Sequence, residues 1–420
     1  MLSRIVARLS EFASQYSLIF FMVALTVAAI FYAVYDLCFA PAYPIADWLI
    51  NYSAGFVRRG LPGEFILLAA RATHIPPPWM AAVVQLSIYV AFLCGVYRLA
   101  APLRRDVLWY CMMFSPAALA FMILAPMNGN RKELLLYAAL AATIFLLRLD
   151  LSAISLSVCV ATLLAILVLS HDALVCCFPF FFAAIAIQTG NLKYASKVIA
   201  APFLLAAFLA NLVRQHPGDQ TTAIAVCRSV GGRWIADDGT RDLCAGAIRH
   251  LSWTIAKSRQ EELQNLSYWP LYTLLGLLSF APYVVALVVL YRRDHLRFEV
   301  KVIASIAALC VLTTMPLFYL TIDWGRWIQM QIICLLLVIL QGAQRAPGFQ
   351  KTSSAPAFGV GKSWRPALLV TAFLYCTCWT LPVLGMQDVR FGYADVPLSL
   401  HREFRLMRNF HGWQIIDRGW

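Results

Sequence analysis

Eleven mostly apolar stretches recur along this chain, at 17–39, 79–97, 107–125, 133–148, 152–170, 173–190, 198–213, 268–290, 302–321, 327–343 and 366–385. Each is close to the length a helix needs to cross a bilayer. Lipid offers no hydrogen bonds to a free backbone, so such stretches settle as helices. Composition agrees, with 61% apolar and only 13% charged among 420 residues. A soluble domain is about half apolar and a quarter charged. A water-soluble globule, a disordered chain and a collagen-like repeat are therefore excluded. The expected fold class is all-α, a polytopic integral membrane protein with about eleven transmembrane helices in one membrane domain, 1–420. Its first partner is the lipid bilayer.

Charge sets the expected orientation. The first stretch is too long and too weakly terminated for a cleaved signal peptide and reads as an anchor. Arg4 and Arg8 precede it, which places the N-terminus in the cytoplasm. Eleven crossings then put the C-terminus in the periplasm. With that sidedness the cytoplasmic loops carry +11 of the net +13. The basic surplus thus marks one membrane face, the inner (plasma) membrane's cytoplasmic side, and gives no indication of nucleic acid. Four segments lie between or after the spans. They are a first periplasmic loop at 40–78 with a short interfacial helix near 64–74, a second at 214–267 with an amphipathic helix near 246–266, a cytoplasmic linker at 344–365 and a periplasmic tail at 386–420. Cys227 and Cys244 lie in the second loop. A disulfide between them requires an oxidising compartment and fits that placement. No CxxC or CxxH spacing suggests zinc. No internal repeat of the transporter kind is visible.

Polar residues gather where the spans meet the outer face. The first loop carries Asp47-Trp48 and then Gly55-Phe56-Val57-Arg58-Arg59-Gly60-Leu61-Pro62-Gly63-Glu64. The turn after the third span carries Asn130-Arg131-Lys132-Glu133, the turn after the fifth His171-Asp172, and the turn after the ninth Asp323-Trp324-Gly325-Arg326-Trp327. Short outer loops normally avoid Lys and Arg. An anion at that face offsets the cost, and phosphate matches the guanidinium fork. Arg58, Arg59, Arg131, Lys132 and Arg326 are therefore candidate phosphate ligands. Asp47 is the first candidate for a general base, followed by Asp172, Asp323 and Glu64, with His171 as an assisting group. Trp48, Trp324 and Trp327 could stack on sugar rings. The competing explanation is local neutralisation, since Asp323 and Arg326 are three residues apart on one helix, with the aromatics as an interfacial belt. Glycines beside the arginines would let backbone approach a ligand. Phosphate-loop, His-Glu-x-x-His and Gly-x-Ser-x-Gly motifs are absent.

In layout and in these residue types the chain resembles bacterial inner-membrane enzymes that handle polyprenyl-linked sugars, namely GT-C glycosyltransferases and O-antigen or exopolysaccharide polymerases. The resemblance implies a catalytic acid in the first outer loop, where Asp47 or Glu64 stands. It also implies periplasmic arginines that hold a lipid (pyro)phosphate, which Arg58, Arg59, Arg131 and Arg326 would match. The implied partners are a polyprenyl-linked glycan donor and a glycan acceptor; no cofactor is expected, although the carboxylates could hold a divalent metal. Other classes open to the same residues are a secondary transporter or flippase of an anionic, lipid-linked substrate, and a non-catalytic subunit of envelope assembly. Intramembrane charges also mark ion pathways.

Overall fold

The computed structural model describes residues 2–38, 43–103, 106–125, 129–232, 243–263, 266–292, 296–321, 323–345, 365–382 and 392–394. Most of the linker at 344–365 and nearly all of the tail at 386–420 lie outside the described residues. Helix α1 runs Leu2–Cys38, and a short α2, Tyr43–Trp48, follows it. Then come α3 (Leu61–Thr73), α4 (Pro77–Ala100), α5 (Val107–Met113), α6 (Phe121–Leu124), α7 (Glu133–Leu146) and α8 (Ala153–Ser170). A 3-10 turn at Asp172–Cys177 leads into α9 (Pro179–Thr189), followed by α10 (Leu192–Arg214), α11 (Gln220–Ser229) and α12 (Ile255–Leu263). The chain continues with α13 (Trp269–Tyr291), α14 (Arg297–Leu320), α15 (Trp324–Gln344) and α16 (Arg365–Thr377). No strand occurs among the described residues. Among the described residues eight segments are long and apolar enough to span, and α7 and α16 are shorter apolar helices. The chain is an all-α polytopic membrane protein.

The third apolar stretch behaves differently from its expectation. It forms α5, then a turn through Ser115-Pro116, then α6. Pro116 lacks the N–H that a continuous helix needs there. Backbone without helical bonds is tolerated at membrane depth only when protein covers it, and Ala117–Ala125 are all buried. Elsewhere proline is absorbed. Pro202, Pro282 and Pro316 lie inside α10, α13 and α14, and Pro179 starts α9.

Helix α15 is the axis of the bundle. Every residue from Trp324 to Ala343 is buried, and α4, α7, α9, α13 and α14 pack around it. Its glutamines tie it to those neighbours. Tyr137 Oη donates to Gln329 Oε1 at 2.9 Å, Gln331 Nε2 donates to Thr314 Oγ1 at 2.6 Å, and Gln341 Nε2 donates to Ala184 O at 3.0 Å. Between helices in lipid such polar bonds act as specific ties.

The first and second long loops fold onto one another beside this axis. Arg58 N donates to His216 O at 2.9 Å, and Asn51 Nδ2 donates to Ser229 Oγ at 2.8 Å. Cys227 and Cys244 form a disulfide, Cα–Cα 5.5 Å, which closes the segment after α11. The helix expected near 64–74 is α3, with Phe65 and Leu68 exposed. The one expected near 246–266 is a 3-10 turn at Arg249–Ser252 followed by α12.

Candidate functional site

The charged strings meet at one end of the bundle. The C-terminus of α2 supplies Asp47. The N-terminus of α7 supplies Arg131, Lys132 and Glu133. The loop before α3 supplies Arg59, the end of α8 supplies His171 and Asp172, and the start of α15 supplies Asp323 and Arg326. Arg131 is the hub, with Nε 3.6 Å from Asp47 and Nη1 3.3 Å from Asp323. Its guanidinium lies 4.7 Å over the Tyr43 ring. Arg326 lies 2.7 Å from Asp323 and 3.0 Å from Glu133, and its guanidinium covers the Trp327 ring at 4.6 Å. Lys132 Nζ stands 3.9 Å from Asp47 and donates to Arg59 O at 2.6 Å. Arg59 faces Asp172 at 3.5 Å.

Burial divides the cluster into a floor and an edge. Asp47 is 0% exposed, and Arg131, Lys132, Glu133, His171 and Arg326 are buried with it. The edge consists of Asp172, Arg59 and Asp323, whose side chains are 38%, 22% and 17% exposed. Four cationic side chains face four carboxyl side chains in the cluster. Its bonding is less complete. Neither Asp47 oxygen has a hydrogen-bond partner, nor has Nε of Arg59, Arg131 or Arg326, nor either Glu133 oxygen. Buried charges without hydrogen bonds are expensive.

Arg59 is held at φ 66°, in the left-handed region that long side chains rarely enter. That backbone turns its carbonyl onto Lys132 while its guanidinium reaches Asp172. Strain of this kind concentrates at sites where geometry matters more than stability. His171 Nδ1 accepts the Ala173 N–H at 3.2 Å, so that nitrogen carries no proton. Its Nε2 lies 3.5 Å from Arg326 Nη2.

Other expected site residues are used differently. Glu64 Oε2 accepts the Tyr52 N–H at 3.0 Å and ties the loop rather than joining the cluster. Arg58 Nη2 donates to His250 O at 3.3 Å, a contact to the second loop. Trp48 is buried and donates to Asn130 O at 3.0 Å. Trp327 is buried and donates to Thr321 Oγ1 at 2.7 Å, and Trp324 packs on Tyr272 and Phe318. Sugar stacking needs an open ring face, and protein covers all three indoles. The glycines serve packing too. A Cβ at Gly63 would collide with the Ile50 backbone, and one at Gly325 with Pro382 O.

Three further residues join the floor. Tyr43 receives Arg131 on its ring, and its hydroxyl lies 2.7 Å from His250 Nδ1. Gln85 Nε2 donates to Pro44 O and Asn130 O at 3.2 and 3.1 Å. A lone Gln in an otherwise apolar span was a usable signal for the last; nothing in the spacing pointed to the Tyr43–His250 pair. Burial pushes the Tyr43 hydroxyl up to about 12 and the His250 imidazole down to about 3, so both stay neutral. Among the described residues no three His, Cys, Asp or Glu side chains come close enough to share a metal ion.

One end of a helical membrane bundle is thus filled with a shared ion network, which defines the class as a polytopic membrane protein with a buried charge cluster. The chain belongs to the family described as uncharacterised membrane protein Rv1490, whose model matches residues 16–260. That match includes the contributions of α2, α7 and α8 and stops short of Asp323 and Arg326. No curated protein matches the chain, and no solved structure does.

The network has an acid-side signature. Burial alone would raise the Asp47 carboxyl, but Lys132 and Arg131 outweigh it and hold Asp47 well below the usual carboxylate range. Lys132 itself is pushed down to about 8 by burial, against the pull of Asp47, and is still a cation at neutral pH. The unfolded Asp47, with a pKa of about 3.9, binds a proton that the folded one refuses, so stability rises with pH through that window. Asp47's contribution is complete above the unfolded pKa and is lost as pH falls through the folded one. Thermal unfolding of the detergent-solubilised protein between about pH 3 and 7 should show a midpoint that drops on the acid side. Asp47→Asn should flatten that drop. Parallel acid limbs in the two proteins would contradict the assignment.

Proposed function

We propose that the protein is a glycosyltransferase or polysaccharide polymerase. In this reading it acts at the periplasmic face of the inner membrane on a sugar linked to polyprenyl (pyro)phosphate. One observation carries the reading. Five segments far apart in the chain deliver arginines and carboxylates to a single cluster at one end of the bundle, with Arg59 and Asp172 at its edge. The described buried charges lie at helix ends and none at mid-span, which favours a headgroup-handling site over an ion path.

The chemistry follows from the edge. The donor phosphate sits against Arg59, with Arg131 and Arg326 behind it supplying positive potential. The bond from the sugar's anomeric carbon to the phosphate oxygen breaks, and its electron pair goes to the phosphate. Cations placed in advance stabilise that developing charge. The acceptor hydroxyl bonds to the anomeric carbon and gives its proton to Asp172, the most exposed carboxylate of the cluster. Asp47 is too deep for that task and instead positions Arg131 and Lys132. Asp323 positions Arg131 and Arg326.

The test is transfer in proteoliposomes, with a radiolabelled polyprenyl-phosphate sugar as donor and a glycan acceptor. Wild type should move label into the acceptor. Arg326→Ala should lose at least about tenfold of that transfer, because a cation placed in advance behind the leaving phosphate is removed. Arg326→Lys should also be impaired, because Arg326 engages Asp323 and Glu133 through separate guanidinium nitrogens. Unchanged transfer in folded Arg326→Ala would end this reading.

A further inference from the structure

A second site lies at the opposite end of the bundle and does not depend on the transferase reading. The cluster takes the start of α7 and the end of α8, so the end of α7 and the start of α8 face the other way. Between them and α4 opens a groove of about 730 Å³. Phe145, Leu149, Val158 and Leu163 make its apolar wall, and Arg98 and Arg148 line the same groove.

Helix length explains the groove. The 14 residues of α7 rise about 21 Å, whereas the hydrocarbon layer is about 30 Å thick. The helix starts at the cluster end and runs out before its neighbours do, which leaves a gap beside α4 and α8. The gap opens toward lipid, since Leu149 and Val158 are exposed.

The two arginines fix the chemistry of the occupant. Both are exposed, and neither forms an ion pair among the described residues. Arg98 has no hydrogen-bond partner there. Arg148 uses one nitrogen on Gln344 Oε1 at 2.6 Å, and its guanidinium lies 4.9 Å over the Phe145 ring. That leaves the rest of its donor fork open. Asp150, in the same turn, does not pair with it. An apolar trough with two guanidiniums matches a molecule with a hydrocarbon tail and an anionic phosphate head.

We propose that this groove binds an anionic phospholipid of the surrounding leaflet, with one acyl chain against Phe145 and Leu163 and the phosphate held by Arg98 and Arg148. The full-length protein in mild detergent, titrated with phosphatidylglycerol or phosphatidylcholine, tests this by native mass spectrometry. Phosphatidylglycerol should be retained over phosphatidylcholine by roughly tenfold, the scale of one charge-assisted hydrogen bond. Arg98→Gln with Arg148→Gln should remove that preference. Thr162→Trp, at an exposed groove position, should block the trough with both arginines intact and reduce retention of phosphatidylglycerol. If the double variant does not fold, photoreactive phosphatidylglycerol decides, and its label should fall within residues 142–163. Equal retention of the two lipids, wild-type retention in Thr162→Trp, or label confined elsewhere would each overturn the proposal.

Discussion

Arg131→Met is expected to abolish the folded protein. The guanidinium joins α7 to α2 through Asp47 and to α15 through Asp323, and it fills the space over Tyr43. Removing it leaves the fully buried Asp47 carboxylate with Lys132 alone, at 3.9 Å. Breaking a buried ion pair from one side costs about 3–5 kcal/mol. That is a large share of the about 5–15 kcal/mol that holds a typical native protein. Gel filtration of the solubilised variant should show loss of the monodisperse peak. Asp47→Asn added to Arg131→Met should restore part of it, because the second change removes the charge the first one stranded. Arg214→Ala, at an exposed position, should leave the peak intact. A monodisperse Arg131→Met protein with wild-type thermal stability would mean that the pair contributes nothing and that water serves Asp47 equally well.

The same pair shows where reading the sequence stops. That polar residues should concentrate at span ends is visible in the chain, because lipid penalises them elsewhere. Basic residues in short loops at span ends were a usable signal, and the Asp323–Arg326 contact lies within one helical turn. The Arg131–Asp47 and Arg326–Glu133 contacts do not. They depend on how α7 packs against α2 and α15, and side-chain spacing along one segment says nothing of that. The tryptophans illustrate a related ambiguity. An aromatic beside a charge can face outward to a ligand or inward to a backbone carbonyl, and Trp48 goes inward to Asn130. Apolar length located the spans and left two features of them open. Apolar length cannot reveal that Ser115-Pro116 breaks the third stretch. Nor can it show that α15 is surrounded, although Gln329, Gln331 and Gln341 in an apolar run mark a helix whose polar groups must meet other protein.

Asp172→Asn should separate chemistry from architecture. Asp172 is the most exposed carboxylate of the cluster and faces Arg59 rather than the buried core. An ion pair that is partly in water contributes about 0–1 kcal/mol, so the variant should fold and purify like wild type. If Asp172 takes the acceptor's proton, transfer should fall by about 10²- to 10⁴-fold, the usual worth of general base catalysis. The loss should appear in kcat with little change in KM for the donor, whose phosphate still meets Arg59 with Arg131 and Arg326 behind it. The acid limb of the pH–rate profile should disappear with it. Asp47→Asn should do the reverse, weakening stability at least as much as it weakens transfer, because its carboxylate pairs with Arg131 and Lys132 in the buried floor. Full transfer by folded Asp172→Asn would remove Asp172 as the base and leave Asp323, the other carboxylate at the cluster's edge, to be tried in its place.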